Sequence, residues 1–109
     1  MTRVEVSLRG ELIFGLSVCG HSGYAPSGQD IVCSAVTTLV QTLHIGLADV
    51  LHLSLDSQVH RESAVIAMRW RDESPEAQAI VATVVESFRA LARTYPENVE
   101  VVEVQEYAV

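Results

Sequence analysis

Lysine is missing from this sequence of 109 residues, and all seven cations are arginine. That absence excludes a P-loop lysine, a Schiff-base lysine and a Ser–Lys dyad. Cysteine is scarce: Cys19 and Cys33 are too few for a disulfide scaffold and, with four histidines, nearly too few for a zinc ribbon. Basic charge is in deficit. Fourteen acids give a formal charge of −7, which argues against general binding along a phosphate backbone, so no direct nucleic-acid contact is expected. Long apolar runs are also lacking, and no window approaches the ~18 consecutive apolar residues of a spanning helix. Met1-Thr2-Arg3-Val4-Glu5 alternates polar and apolar and lacks the basic start of a signal peptide. A cytoplasmic protein with no membrane segment and reduced thiols is the expectation.

What is present is globular. Residues are 49% hydrophobic and 19% charged, so a disordered acidic tail is excluded. The length fits one domain, residues 1–109, able to bury about two-thirds of its unfolded surface.

Val4, Val6 and Leu8 alternate with polar residues, as in a half-buried strand. After Gly10, the alternation of Leu12, Phe14, Leu16 and Val18 predicts a second strand and hence a hairpin. Glycine and proline then crowd residues 20–28, which is loop chemistry. Asp30 is a good N-cap for a helix whose apolar positions run from Val32 to Leu51, ending near His52. Ser57–Arg61 and Ala64–Arg71 read as a second hairpin, turning at Glu62-Ser63. Ser74-Pro75-Glu76 opens a second helix that Tyr95-Pro96 stops. Val99 to Val104 closes the chain as a strand. The order ββ-α-ββ-α-β predicts an α/β (α+β) two-layer sandwich. Its five-stranded sheet is mostly antiparallel and carries two helices on one face.

Chemistry has few places to reside. His21 ends a strand before the glycine-rich loop, and Cys33 falls in the first turn of a helix. Backbone N–H groups there favour an anion, and a nearby imidazole can hold a thiolate and later protonate a leaving amine. The plainer reading is a cysteine packed as a small hydrophobe and a loop histidine. Cys19, His21 and Cys33, with His44, match no closed zinc pattern. A Cys19–Cys33 disulfide is a third reading. His44, His52 and His60 have no acid or cysteine at ligand spacing, so no metal is expected.

Two stretches carry a family likeness. They are Gly20-His21-Ser22-Gly23-Tyr24-Ala25 and Gly28-Gln29-Asp30-Ile31-Val32-Cys33-Ser34-Ala35-Val36-Thr37. Together they resemble the GHAxYA and G-x-DIVCAAVS patterns of the ribosomal-processing cysteine protease family, Prp. The likeness runs over essentially the whole chain, including Glu76-Ala77-Gln78 and Tyr95-Pro96-Glu97-x-Val99. It implies a cysteine endopeptidase that removes the N-terminal extension of protein twenty-seven of the large ribosomal subunit. It carries the nucleophile onto Cys33 and the general base and acid onto His21, and its motif Gly and Asp fall on Gly20 and Asp30. Thr37 stands where most members have Ser, Ser22 and Ser34 replace Ala, and Cys19 replaces a small polar residue. The resemblance implies no cofactor and a homodimer. A basic ribosomal protein is the implied partner, which the acidic surface suits.

The Cys33 and Ser34 N–H groups, or the loop, are candidate holders of the oxyanion. Asp30 either caps the helix or orients His21. The loop from Ser22 to Gln29 reads as a lid closing over the peptide. An alternative keeps the fold as a non-catalytic acidic dimeric module that binds a basic ribosomal protein.

Overall fold

Alternation in the first nineteen residues becomes two antiparallel strands, β1 (Thr2–Arg9) and β2 (Leu12–Cys19). The computed structural model describes residues 1–21, 23, 25–26, 30–60 and 64–106. Val4, Val6 and Leu8 are buried, and Val18 and Leu16 face Val4 and Val6 across the pair. The expected face of β2 does not continue through Phe14. A bulge sets Ser7 opposite Gly15 but Leu8 opposite Ile13. One extra residue reverses the alternation, so Ile13 takes the core side with Leu8. The Phe14 ring, half-buried at the edge of the core, meets the guanidinium groups of Arg9 and Arg69 at 4.5 and 5.1 Å. The Ile13 backbone is satisfied from elsewhere. Its N–H donates to Gln78 Oε1 at 2.9 Å, and its carbonyl accepts from Gln78 Nε2 at 2.8 Å and Trp70 Nε1 at 3.0 Å.

The second hairpin forms as β3 (Asp56–His60) and β4 (Val65–Arg69), and its expected turn at Glu62-Ser63 lies outside the described residues. The last strand is β5 (Val99–Gln105), and the sheet order is β3-β4-β2-β1-β5. Only β1 and β5 pair in parallel; the other neighbours are antiparallel, as the sequence predicts.

Helix α1 (Ile31–His44) runs on as a π-helical turn over Ile45–Val50. His52 then adopts a left-handed φ of 57°, so the helix ends where the sequence places it. Its stripe of Val32, Val36, Val40, Leu43 and Leu47 is buried in the core. Residues 31–50 have a mean hydropathy of 1.6, enough by length and composition to cross a membrane. The core helix of a water-soluble protein meets the same criterion, and 28% of this window is buried inside the fold. Helix α2 (Pro75–Thr94) starts as expected, with Ser74 Oγ accepting from the Ala77 N–H at 3.2 Å. Gly46 lets the two helices approach closely: a Cβ there would lie 2.8 Å from Ile80 Cγ2. Both helices cover one face of the sheet, and Phe88, Leu43, Val4 and Val81 are fully buried in the core they share.

Candidate active site

Each side of the site is placed by a local backbone requirement. On the strand side, β2 ends at Cys19 and Gly20 turns with φ of +85°. A Cβ on Gly20 would lie only 2.5 Å from the Met1 carbonyl oxygen, so the chain needs glycine both for the dihedral and for the approach. The Gly20 N–H donates to the Ala64 carbonyl at 3.1 Å, tying the turn to the second hairpin. His21 follows directly and is exposed.

On the helix side, Asp30 is extended, with φ −82° and ψ 99°. Its carboxylate accepts from the Cys33 N–H at 2.9 Å, which caps the helix. Its carbonyl accepts from the Ser34 N–H at 3.1 Å and from Ser34 Oγ at 3.2 Å. Cys33 is thereby fixed in the first turn, half-buried.

These two pieces meet at one cavity of about 630 Å³. His21, Asp30, Cys33, Ser34 and Thr37, all singled out in the sequence, line it. Gly20 stands behind the wall as the turn that delivers His21. Among the described residues, Gly23, Ala25 and Thr38 also line it. Thr38 escaped the sequence reading, although it lies one turn after Ser34 and its hydroxyl donates to the Ser34 carbonyl at 2.9 Å. The Ser34 and Thr38 hydroxyls are both committed to backbone carbonyls. The Thr37 hydroxyl has no hydrogen-bond partner among the described residues, which leaves it available to a bound peptide.

One expectation needs correction. The Cys33 and Ser34 N–H groups are not free to hold an oxyanion, because Asp30 occupies both, one through its side chain and one through its carbonyl. The alternative donor segment and lid, Ser22 to Gln29, is described only at Gly23, Ala25 and Pro26.

The metal and disulfide readings gain nothing. Among the described residues no three His, Cys, Asp or Glu side chains are grouped to hold a metal ion. Both cysteines are free thiols. Cys19 alternates with the buried Val18 and so points to the helix-free face of the sheet, whereas Cys33 belongs to the helical layer. His44, His52 and His60 are exposed. A larger cavity, about 950 Å³, lies between Arg9, Phe14, Arg69 and Trp70 and is lined by neither cysteine nor histidine.

The model of one protein family, cysteine protease Prp, matches residues 1–100. The chain belongs to the Prp family of ribosomal-processing cysteine proteases. No curated protein matches it in sequence. Solved structures of Prp share its fold. The S. aureus ribosomal processing protease Prp with a covalently linked product peptide is similar at a TM-score of 0.89 and 21% identity, over 95% of this chain and 100% of that one. The same protease with a substrate peptide is similar at 0.84 and 20% identity, over 95% and 100%. A Streptococcus mutans protein is similar at 0.84 and 21% identity, over 97% and 96%. The α+β open sandwich is therefore the Prp fold.

Proposed function

We propose that this Prp-family protease removes an N-terminal extension from protein twenty-seven of the large ribosomal subunit, with Cys33 as nucleophile and His21 as general base and acid. The observation that carries the reading is the single cavity whose wall contains both side chains. His21 takes the thiol proton as the Cys33 sulfur attacks the scissile carbonyl. The imidazolium returns that proton to the departing amine, leaving a thioester. His21 then deprotonates water, which adds to the thioester and releases the peptide acid and the Cys33 thiol. The cycle draws on no metal ion or cofactor.

The supporting residues act through position. Asp30 locks the Cys33 backbone, Gly20 sets the start of the His21 loop, and Ser34 ties the first helical turn to Asp30. Thr37 contributes a hydroxyl to the peptide. A formal charge of −7 suits a basic ribosomal protein and speeds its encounter at low salt. We place the enzyme in the cytoplasm, as a homodimer.

The test uses the ribosomal protein of the same genome. Mass spectrometry should show its extension removed by the purified enzyme and left intact by Cys33→Ala and His21→Ala. Iodoacetamide at neutral pH should alkylate Cys33 faster than Cys19. Cleavage that survives Cys33→Ala, or a full-length protein left uncut by the wild type, would overturn the reading.

A further inference from the structure

We propose that the homodimer forms through the free edge of β3, two copies pairing antiparallel about a two-fold axis at Gln58. The inference rests on the dimeric reading above and names its surface.

The sheet has two edges, β3 and β5. The β5 edge is defended. Helix α2 packs against that strand, and Arg89 reaches across from α2 to Glu103 at 2.6 Å. Glu100 and Glu103 stand along it, with Glu106 just beyond. The strand VEVVEVQ holds no cation, so a second copy laid there would find no opposite charge to pair with these acids. The β3 edge has no such protection among the described residues. All five of its residues are exposed, and Val59 is 60% accessible. It pairs with β4 in unbroken register from Asp56 opposite Arg69 to His60 opposite Val65, without bulge or proline. Such an edge presents a row of unpaired N–H and C=O groups.

Its sequence is complementary to itself. With the axis at Gln58, Asp56 of each copy faces His60 of the other, Ser57 faces Val59, and Gln58 faces its own counterpart. The imidazole donates to the carboxylate, twice per interface by symmetry, and the two amides bond each other. Asp56, Gln58 and His60 all lie on the helix-free face. Their β4 partners Arg69, Ala67 and Val65 alternate with the core-facing Met68 and Ile66. Moving the axis to Asp56 would set carboxylate against carboxylate, and moving it to His60 would set imidazole against imidazole. Of the five residues of β3, only Gln58 as the axis sets Asp56 against His60, so that pairing selects the register. The product is a continuous ten-stranded sheet, twice the five strands of one copy.

A swap tests this on the full chain by sedimentation velocity over a concentration series. Asp56→His and His60→Asp should each raise the dimer dissociation constant about ten-fold, since each puts like groups face to face. The double swap should recover the wild-type constant to within about three-fold, because it restores the pairing in reversed sense. Glu100→Gln on the other edge should leave it unchanged. Circular dichroism checks the fold, and the isosteric Asp56→Asn repeats the test with minimal perturbation. A dimer indifferent to the single swaps, or singles that the double does not rescue, would overturn the β3 assignment and leave the dimer standing. A wild type that stays monomeric throughout would remove the dimeric reading itself.

Discussion

Gly20→Ala isolates the contact that places His21. Two costs add. At φ of +85° an L side chain is strained by roughly 1–2 kcal/mol. The new Cβ also lies 2.5 Å from the Met1 carbonyl oxygen, well inside contact distance. That oxygen has little room to retreat. The next residue, Thr2, is 2% exposed, its N–H donates to the Asn98 carbonyl at 2.8 Å, and it opens the pairing of β1 with β5. Either the start of β1 or the Gly20–His21 peptide must move, so the total loss is about 2–3 kcal/mol. Gly10→Ala is the matched control: its φ is +62°, but a Cβ there meets nothing within 4 Å. It should cost about 1 kcal/mol and no activity. Urea unfolding measures both losses. Peptide cleavage below the unfolding range measures the displacement of His21. A shift of about 1 Å in a reacting group costs on the order of a hundred-fold in kcat/KM. Equal losses for the two alanines would refute the role of the Met1 contact. Full activity in a destabilised Gly20→Ala would refute the role of the turn in placing His21.

Asp30→Ala removes the acceptor of the Cys33 N–H and should cost about 1 kcal/mol, read as a lower thermal midpoint, while Asp30→Asn keeps the cap and nearly all the stability. A large loss of cleavage in the stable Asp30→Asn would show that its charge acts on His21 as well. Gln78→Leu strips the acceptor from the part-buried Ile13 N–H and should cost about 1–3 kcal/mol by urea unfolding, with cleavage unaffected where the protein is folded. His52→Gly relieves a left-handed φ of 57° and should stabilise by about 0.5–1 kcal/mol, net of the extra chain entropy of glycine. The Arg69 guanidinium, bidentate at 2.9 and 2.8 Å, holds the Glu106 carboxyl below its ordinary value of 4.5. The pair's contribution is thus complete above pH 4.5 and fades as pH falls through the lower folded value. Arg69→Ala should cost less than about 1 kcal/mol at neutral pH, and the gap to wild type should close on acidification.

Why some of this was legible follows from where each feature is encoded. Asp30 as a cap and Ser74-Pro75 as a helix start depend on three or four neighbouring residues, and both formed as read. The bulge at Ser7 does not depend on neighbours in sequence. Leu12, Phe14, Leu16 and Val18 alternate without a break, and only pairing with β1, where Leu8 meets Ile13, shows that one residue is extra. Gln78 shows the same limit from the other side. It is one of the residues through which the chain resembles Prp, yet its amide is occupied with the Ile13 backbone sixty-five positions away, a structural duty that no local pattern contains.

The site divides along the same line. Placing Cys33 in a first helical turn needed only the cap and the helical period. Free donors in that turn are a different matter, because a helix start has few of them and the fold assigns two to Asp30. Asp30 that fixes Cys33 is also the group that takes the Cys33 N–H, and its carbonyl takes the next one. Placing the nucleophile and stabilising the oxyanion therefore compete for the same amides. In this chain both amides go to Asp30, so under the mechanism proposed above the oxyanion draws on donors other than the Cys33 and Ser34 amides.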